Sequence, residues 1–181
     1  SVQIEGVSID LNKVEKVEKF HRKLDLKTGI YERSVSIKTN DNLKVDINSK
    51  RFLSMKRKHI GAISYEIKCN KDVKISLSPY IDFDVSNNDS NWNEKFWEIK
   101  GKVNTKNSSF VKCSVKKTDF NLTTYMKANL YDDNVKLKNP FQIKTTSKKT
   151  ILESKYSLKK NHTLKVEKFG GYISSTSNKW N

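Results

Sequence analysis

The segment LDLKTGIYERSVSIKT, residues 24–39, shows the pattern that decides the fold. Apolar and polar residues alternate on both sides of Lys27, Thr28 and Gly29, and a period of two is typical of strands with one buried face. A first strand is predicted over residues 14–26 and its antiparallel partner over residues 30–39. The three residues between them suit a hairpin turn. This segment therefore predicts an antiparallel sheet.

The same alternation continues along the chain. About a dozen segments of strand length are separated by tight polar turns. Alanine, the best helix former, occurs only twice. A single flat sheet does not accommodate so many strands, and two packed antiparallel sheets are therefore predicted. The spacing of residues 14–20 also fits a helix, but no cap or alanine supports one.

Three local predictions go beyond this pattern. Residues 60–68 and 73–83 are predicted to form a hairpin around a turn at residues 70–72. A change of phase at residues 51–53 predicts a β-bulge. The Gly170-Gly171 pair in the last strand is interpreted as a second bulge and not as a phosphate-binding turn.

Size and charge limit the classes of function. With 181 residues and 21.0 kDa, the chain has the size of one domain. Its net charge of +16 favours a polyanion as partner. Only four of the 36 basic residues are arginines, and the lysines occupy alternate positions of predicted strands, as on a solvated face. We expect no nucleic acid as partner, and a basic polyanion-binding protein stays an alternative. The sequence contains no apolar run long enough to span a membrane, and no membrane is expected as partner.

Reactive side chains are few. Cys69 and Cys113, the only cysteines, lie in strand-like runs and are predicted to be buried in a reducing compartment, the bacterial cytoplasm, and not in a secreted protein. The three histidines lack a second ligand at metal-binding spacing, so no metal is predicted. No nucleophile or phosphate-binding motif occurs. Because the chain starts at Ser1 without Met, we expect a removed signal or an excised piece.

The segment IDFDVSNNDSNWNEKFWEI, residues 81–99, joins a strand to a long polar loop with large aromatic residues. Aromatic faces beside carboxylates and amides are typical of loops that contact a sugar or another domain. The alternative is a loop whose tryptophans close the end of the core. Asp82 and Asp84 point to one face about 7 Å apart, and a pair of carboxylates is what a glycosidase uses. Carboxylates at a strand end more often bond backbone N–H groups of the next loop, and that interpretation is favoured.

Four segments resemble, in order, the N-terminal β-sandwich domain of glycoside hydrolase family 65, which includes maltose, trehalose and kojibiose phosphorylases. They are LDLKTGIYERSVSIKT at 24–39, RFLSMKRKHIGAISYEI at 51–67, IDFDVSNNDSNWNEKFW at 81–97 and FGGYISS at 169–175. The resemblance covers most of the chain. Two departures are the missing front of the sandwich, with its G-N-G segment, and Trp92-Asn93 in place of the more frequent Tyr-Asp.

The resemblance implies an all-β, antiparallel super-β-sandwich of the galactose-mutarotase type that lacks its first strands, as one partial domain over residues 1–181. In this family a helical linker and an (α/α)₆ barrel follow, and the barrel carries the catalytic Glu and the phosphate site. Phosphate is the nucleophile there, so inorganic phosphate is the implied co-substrate of the full enzyme and no cofactor is expected. The chain alone is predicted to be inactive.

The implied role is that of a non-catalytic accessory domain of a disaccharide phosphorylase or glycosidase. It would pack on the barrel, shape the active-site rim and support a homodimer. The residues expected to face the barrel or the disaccharide are Asp84, Asp89, Asn91, Trp92, Glu94 and Trp97. An independent carbohydrate-binding module that uses the same loop is one alternative, and a structural fragment without a ligand is another.

Overall fold

The computed structural model describes residues 1–10, 16–39, 42–86 and 95–176. These ranges contain fifteen strands and no helix, so the helical alternative is excluded for residues 16–20. None of the described segments is a helix able to cross a membrane. In chain order the strands are β1 Val2–Ile4, β2 Val7–Ser8, β3 Lys16–Asp25, β4 Ile30–Lys38, β5 Lys44–Leu53, β6 Gly61–Cys69, β7 Val73–Leu77, β8 Tyr80–Asp82, β9 Trp97–Thr105, β10 Ser108–Val115, β11 Asn121–Asp132, β12 Val135–Lys136, β13 Gln142–Thr145, β14 Lys149–Leu158 and β15 Thr163–Ser174.

The strands form two antiparallel sheets. The large sheet has nine strands in the order β3-β4-β5-β6-β15-β11-β10-β9, with β12 beside β11. The small sheet has six strands in the order β13-β14-β7-β1-β2, with β8 beside β14. The predicted all-β, antiparallel super-β-sandwich is confirmed.

The predicted hairpin of residues 14–26 and 30–39 is confirmed over its described residues as β3 and β4, which pair Asp25 with Ile30. Asp25 closes the turn, because its Oδ1 accepts hydrogen bonds from the backbone N–H groups of Lys27 and Thr28 at 2.9 and 3.1 Å. Gly29 takes a φ of 69°, a left-handed conformation that glycine adopts without steric cost.

The core lies between the facing sides of the two sheets, where every second side chain of a strand points inwards. Fully buried members include Ile37, Val45 and Ile67 of the large sheet and Ile75, Leu152 and Leu158 of the small sheet. Each aliphatic side chain of this size contributes about 1.5–3 kcal/mol when it is buried. Cys69 and Cys113 are buried free thiols, as predicted, and burial is the main cause that raises the pKa of each to about 11.

The predicted hairpin between residues 60–68 and 73–83 is wrong. β6 pairs with β5 and β15 in the large sheet, whereas β7 pairs with β1 and β14 in the small sheet. The connection is a corner between sheets, and Asn70 anchors it by accepting a hydrogen bond from Lys44 N at 2.8 Å and donating one to Asn42 O at 3.2 Å. Pro79 separates β7 from β8, because proline offers a sheet no N–H group.

Neither predicted bulge occurs. The register of β5 runs unbroken through Arg51, and that of β15 with β11 runs through Gly170-Gly171. Register shifts lie instead in β3, between Val17 and Lys19, and in β9, where Lys100 has no partner in β10. The change of phase at Arg51 arises because the last residues of β5 are exposed on both faces. Glycine at position 171 makes room for the backbone of His59.

Candidate functional site

The base of the predicted loop is held by two ion-paired aspartates. Asp84 contacts the Nζ atoms of Lys95 and of Lys148, the latter at 3.0 Å. Asp82 pairs with Lys149 Nζ at 2.7 Å, and its Oδ1 accepts a hydrogen bond from Asp84 N at 2.8 Å. The interpretation of Asp82 as a cap of the following backbone is therefore confirmed.

The electrostatics of this pair favour ionised carboxylates. Hydrogen bonds from Lys95 and then Lys148 lower the pKa of Asp84 to about 2. For Asp82, burial opposes the shift most strongly, yet the bonds from Lys149 and from the Asp84 N–H group still lower its pKa. A general acid for glycoside cleavage needs a raised pKa. The two aspartates do not supply one.

Trp97, at the start of β9, packs inwards. Its ring lies edge-on to Phe83 at 6.0 Å between centroids and tilted against Phe120 at 6.4 Å. The ring also contacts the buried core residues. Trp97 thus closes one end of the sandwich core, as in the alternative interpretation of this segment.

The other predicted loop residues are not placed. Asp89, Asn91, Trp92 and Glu94 lie outside the described residues. The described flanks do come together, because the Asp84–Lys95 ion pair joins the end of the preceding segment to the residues before β9. Of the six predicted contact residues, the structure therefore locates Asp84 at the base and Trp97 in the core.

Three side chains of types that bind metal ions lie close together at another turn. Asp132, Asp133 and His162 bring one ligand atom each within 4.8 Å of the others. Their atoms already have protein partners: Tyr156 donates to Asp132 at 2.7 Å, Thr163 N donates to Asp133 at 2.8 Å, and His162 Nδ1 lies 3.1 Å from Asp132. The bond to Asp132 and burial raise the pKa of Tyr156 to about 12. This cluster ties the turn after β11 to the turn before β15, and histidine spacing along the chain could not reveal it.

A groove of about 1020 Å³ opens on the inner face of the large sheet. We call it the inner-face groove, and it is bounded by Leu53, Tyr80 and Tyr172 above a floor that includes Gly61 and Gly170. Its residues come from six separated segments, so the alternation pattern could not show that they meet. The signal available in the sequence was a set of apolar residues at or just beyond the ends of predicted strands, Leu26, Leu53 and Met55.

Arg51 and Lys168 place two positive charges on the strands of this groove, and Lys27 adds a third from the β3–β4 turn. The Arg51 guanidinium lies 4.5 Å from the centroid of the Tyr31 ring. Lys168 Nζ donates a hydrogen bond of 2.9 Å to Tyr80 O, and burial lowers its pKa. A groove with apolar walls and several cations can bind an apolar group that carries a negative charge.

Known proteins with similar sequences are phosphorylases. The chain is 41% identical over 100 residues to the maltose phosphorylase of Bacillus subtilis (strain 168). The aligned region covers 55% of this chain and 13% of that protein. It is 34% identical over 102 residues to the α,α-trehalose phosphorylase of Thermoanaerobacter brockii, again 55% and 13% of the two chains. This chain thus corresponds to a small part of each of these relatives.

A solved structure from the human microbiome, named as a kojibiose phosphorylase, has the same fold. It superposes with a TM-score of 0.82 at 24% identity, over 99% of this chain and 22% of that one. The family model for the glycosyl hydrolase family 65 N-terminal domain matches residues 1–180. The chain therefore belongs to the N-terminal domains of glycosyl hydrolase family 65.

Proposed function

We propose that this chain is a non-catalytic accessory domain of a disaccharide phosphorylase of the family 65 type. It packs on the catalytic barrel and presents the loop of residues 84–97 at the rim of the active site. The relatives are named as phosphorylases of maltose and trehalose. A disaccharide and inorganic phosphate are accordingly the proposed substrates of the complete enzyme.

The clamp on Asp84 is the observation that supports the rim role. Lys95 and Lys148 reach its carboxylate from the two flanking segments, one before β9 and one before β14. Ion pairs on both sides set the place where the loop leaves the sandwich. A loop held at its base loses less conformational entropy when it meets a partner surface.

The same site argues against catalysis by this chain. Protonation of a glycosidic oxygen needs a carboxylic acid that still holds its proton near neutral pH. The pKa values of Asp82 and Asp84 are both lowered, and each carboxylate has a lysine partner. The acid of the reaction is proposed to come from the barrel.

The rim role is tested in the enzyme made from the complete reading frame. We expect Trp92→Ala to raise KM for the disaccharide with little change in kcat, because a lost aromatic face weakens ground-state and transition-state binding alike. Trp180→Ala is the matched control outside the loop. Unchanged KM in Trp92→Ala would remove the rim role.

The accessory role is tested on the isolated chain. Incubation with phosphate and maltose, trehalose or kojibiose should give no sugar phosphate. Calorimetric titration with the same sugars should show no binding, because the loop alone is only one side of the proposed site. Millimolar or tighter binding would instead favour an independent carbohydrate-binding module.

A further inference from the structure

The rim of the inner-face groove is apolar and exposed. Leu26, in the β3–β4 turn, is 87% exposed, and Leu53 and Met55, beside it in the lining, are 80% and 90% exposed. Scattered apolar residues are normal on a surface, whereas a contiguous apolar patch marks a contact with a partner. Tyr172 extends this apolar surface, with 57% exposure. The groove therefore has the walls of an interaction surface.

Its floor lacks side chains. Gly61 and Gly170 are direct partners in the β6–β15 register. A β-carbon at Gly61 would lie 2.9 Å from Leu53 Cδ2, and one at Gly170 would lie 3.0 Å from the carbonyl oxygen of Tyr125. Two facing glycines remove a side-chain layer from the floor, and the Leu53 side chain and the Tyr125 carbonyl take part of that space.

Two cations flank this floor. Arg51 and Lys168 are both register partners of Ile63, so they lie on one row across β5, β6 and β15. Neighbouring strands are about 4.8 Å apart, which separates the two backbones by about 10 Å. Within the described residues neither cation pairs with a carboxylate, and Asp82 in the same lining is already paired with Lys149.

Unpaired charge in an apolar groove has an electrostatic consequence. A partly buried cation without an anion is destabilised by the loss of hydration. Burial lowers the pKa of Lys168, which is the sign of that cost. A carboxylate that enters the groove would relieve this cost for Lys168 and would also meet the exposed guanidinium of Arg51. The apolar walls and the charges together select a ligand that is apolar and acidic.

We propose that the inner-face groove binds a continuous polypeptide segment with apolar side chains and carboxylates, supplied by the part of a family 65 enzyme outside these 181 residues. This inference rests on the proposed accessory role. The matched relatives contain such additional chain, since the aligned residues cover only 13% of each. A second copy is disfavoured as occupant, because two molecules of net charge +16 repel and their grooves carry the same sign.

The test uses this chain, fluorescently labelled, and overlapping peptides of the Bacillus subtilis maltose phosphorylase that lie outside its aligned region. We expect peptides rich in leucine, isoleucine, aspartate and glutamate to bind the wild type. The Arg51→Gln/Lys168→Gln variant should bind them about tenfold more weakly or worse. Lys112→Gln/Lys127→Gln, which removes the same charge from exposed positions, should bind like the wild type. Leu53→Ser, at an exposed position that cannot unfold the core, should also weaken binding.

Several results would overturn the proposal. These are no bound peptide, equal loss in the Lys112/Lys127 control, or unchanged binding in Leu53→Ser. Sedimentation that shows a dimer abolished by the groove substitutions would identify a second copy. Binding to phosphatidylcholine vesicles with phosphatidylglycerol, lost in the groove variant while peptides do not bind, would identify a lipid surface. Displacement of the peptides by maltose would identify a sugar site. Failure of the rim role alone would appear as unchanged KM in Trp92→Ala with intact peptide binding.

Discussion

The carbonyl oxygen of His59 lies 1.6 Å from the position that a β-carbon on Gly171 would take. Carbon and oxygen atoms in close contact are usually about 3.3 Å apart or more. Only glycine therefore lets residues 54–60 lie against β15. Tyr125, the register partner of Gly171, donates a hydrogen bond of 2.7 Å to the same carbonyl oxygen. A bare strand position and a phenol hydroxyl hold one turn in place.

Gly171→Ala should destabilise the protein. The added methyl group has to displace the His59 backbone and its hydrogen bond, and overpacking of this kind costs about 1–3 kcal/mol. Urea unfolding followed by circular dichroism measures the change. Gly101→Ala is the matched control, because a β-carbon there meets nothing within 4 Å. Equal unfolding midpoints for the two variants would contradict the packing argument.

Tyr125→Phe should loosen the same turn with a smaller effect on the whole protein. The variant leaves the partly buried carbonyl of His59 without its hydroxyl donor, at a cost of about 1 kcal/mol. Faster tryptic cleavage after Lys56, Arg57 or Lys58, all exposed, would report local opening. Tyr172→Phe, at an exposed position, is the control. Identical cleavage rates in both variants would show that the hydrogen bond does not hold the turn.

Asp84 should make stability depend on acid pH. Lys95 and Lys148 lower its pKa to about 2 in the folded protein, whereas an unfolded Asp titrates near 4. The unfolded state thus binds the proton first, so the stabilising contribution is complete above pH ~4 and is lost as pH falls towards 2. The difference in unfolding free energy between wild type and Asp84→Asn should shrink through this window. In a Lys95→Gln/Lys148→Gln background the difference should be small at every pH, and a pH-independent difference in the wild-type background would refute the assignment.

The two cysteines should be unreactive in the folded protein. Burial raises the pKa of each thiol to about 11, and the thiolate is the reactive form. An aromatic disulfide reagent at pH 8 should therefore react slowly with native protein and rapidly with both thiols in urea. The absorbance of the released thiolate measures both rates. A rapid phase without denaturant would show that Cys69 or Cys113 is accessible.

Strand positions could be predicted because burial on one face leaves a period of two in the sequence. The β3–β4 pairing could also be predicted from its short turn, but the partners of β6 and β7 could not. Asn70 and its neighbours have the chemistry of a hairpin turn and of a corner between sheets alike. The distinction depends on Lys44 and Asn42, which are far away in the chain. The prediction of a bulge at Gly170-Gly171 was wrong for the same reason. Position 171 requires glycine because the backbone of His59, far away in the chain, packs against it. A local pattern reports which way a side chain points and not what it meets.

In the candidate site, too, the sequence predicts interactions between neighbouring residues but not those between distant ones. The cap formed by Asp82 is a hydrogen bond to the N–H group of Asp84, two residues along the chain, and the sequence was enough to predict it. The partners that fix Asp84 include Lys148, 64 positions away, and the groove cations meet only through the register of three strands. Interactions of this kind are set by the fold, and composition does not reveal them.

The place of β15 in the large sheet has a consequence for synthesis on the ribosome. This strand lies between β6 and β11 and is the bridge between the β3–β6 ribbon and the β9–β11 ribbon. Until Thr163–Ser174 has been translated, both ribbons carry an open edge that can pair with another nascent chain. Lys168 then has to pair with Ala128, 40 positions away along the chain, on one side and with Ile63, which is farther away still, on the other. Contacts between residues so distant in sequence make slow folding the expected behaviour.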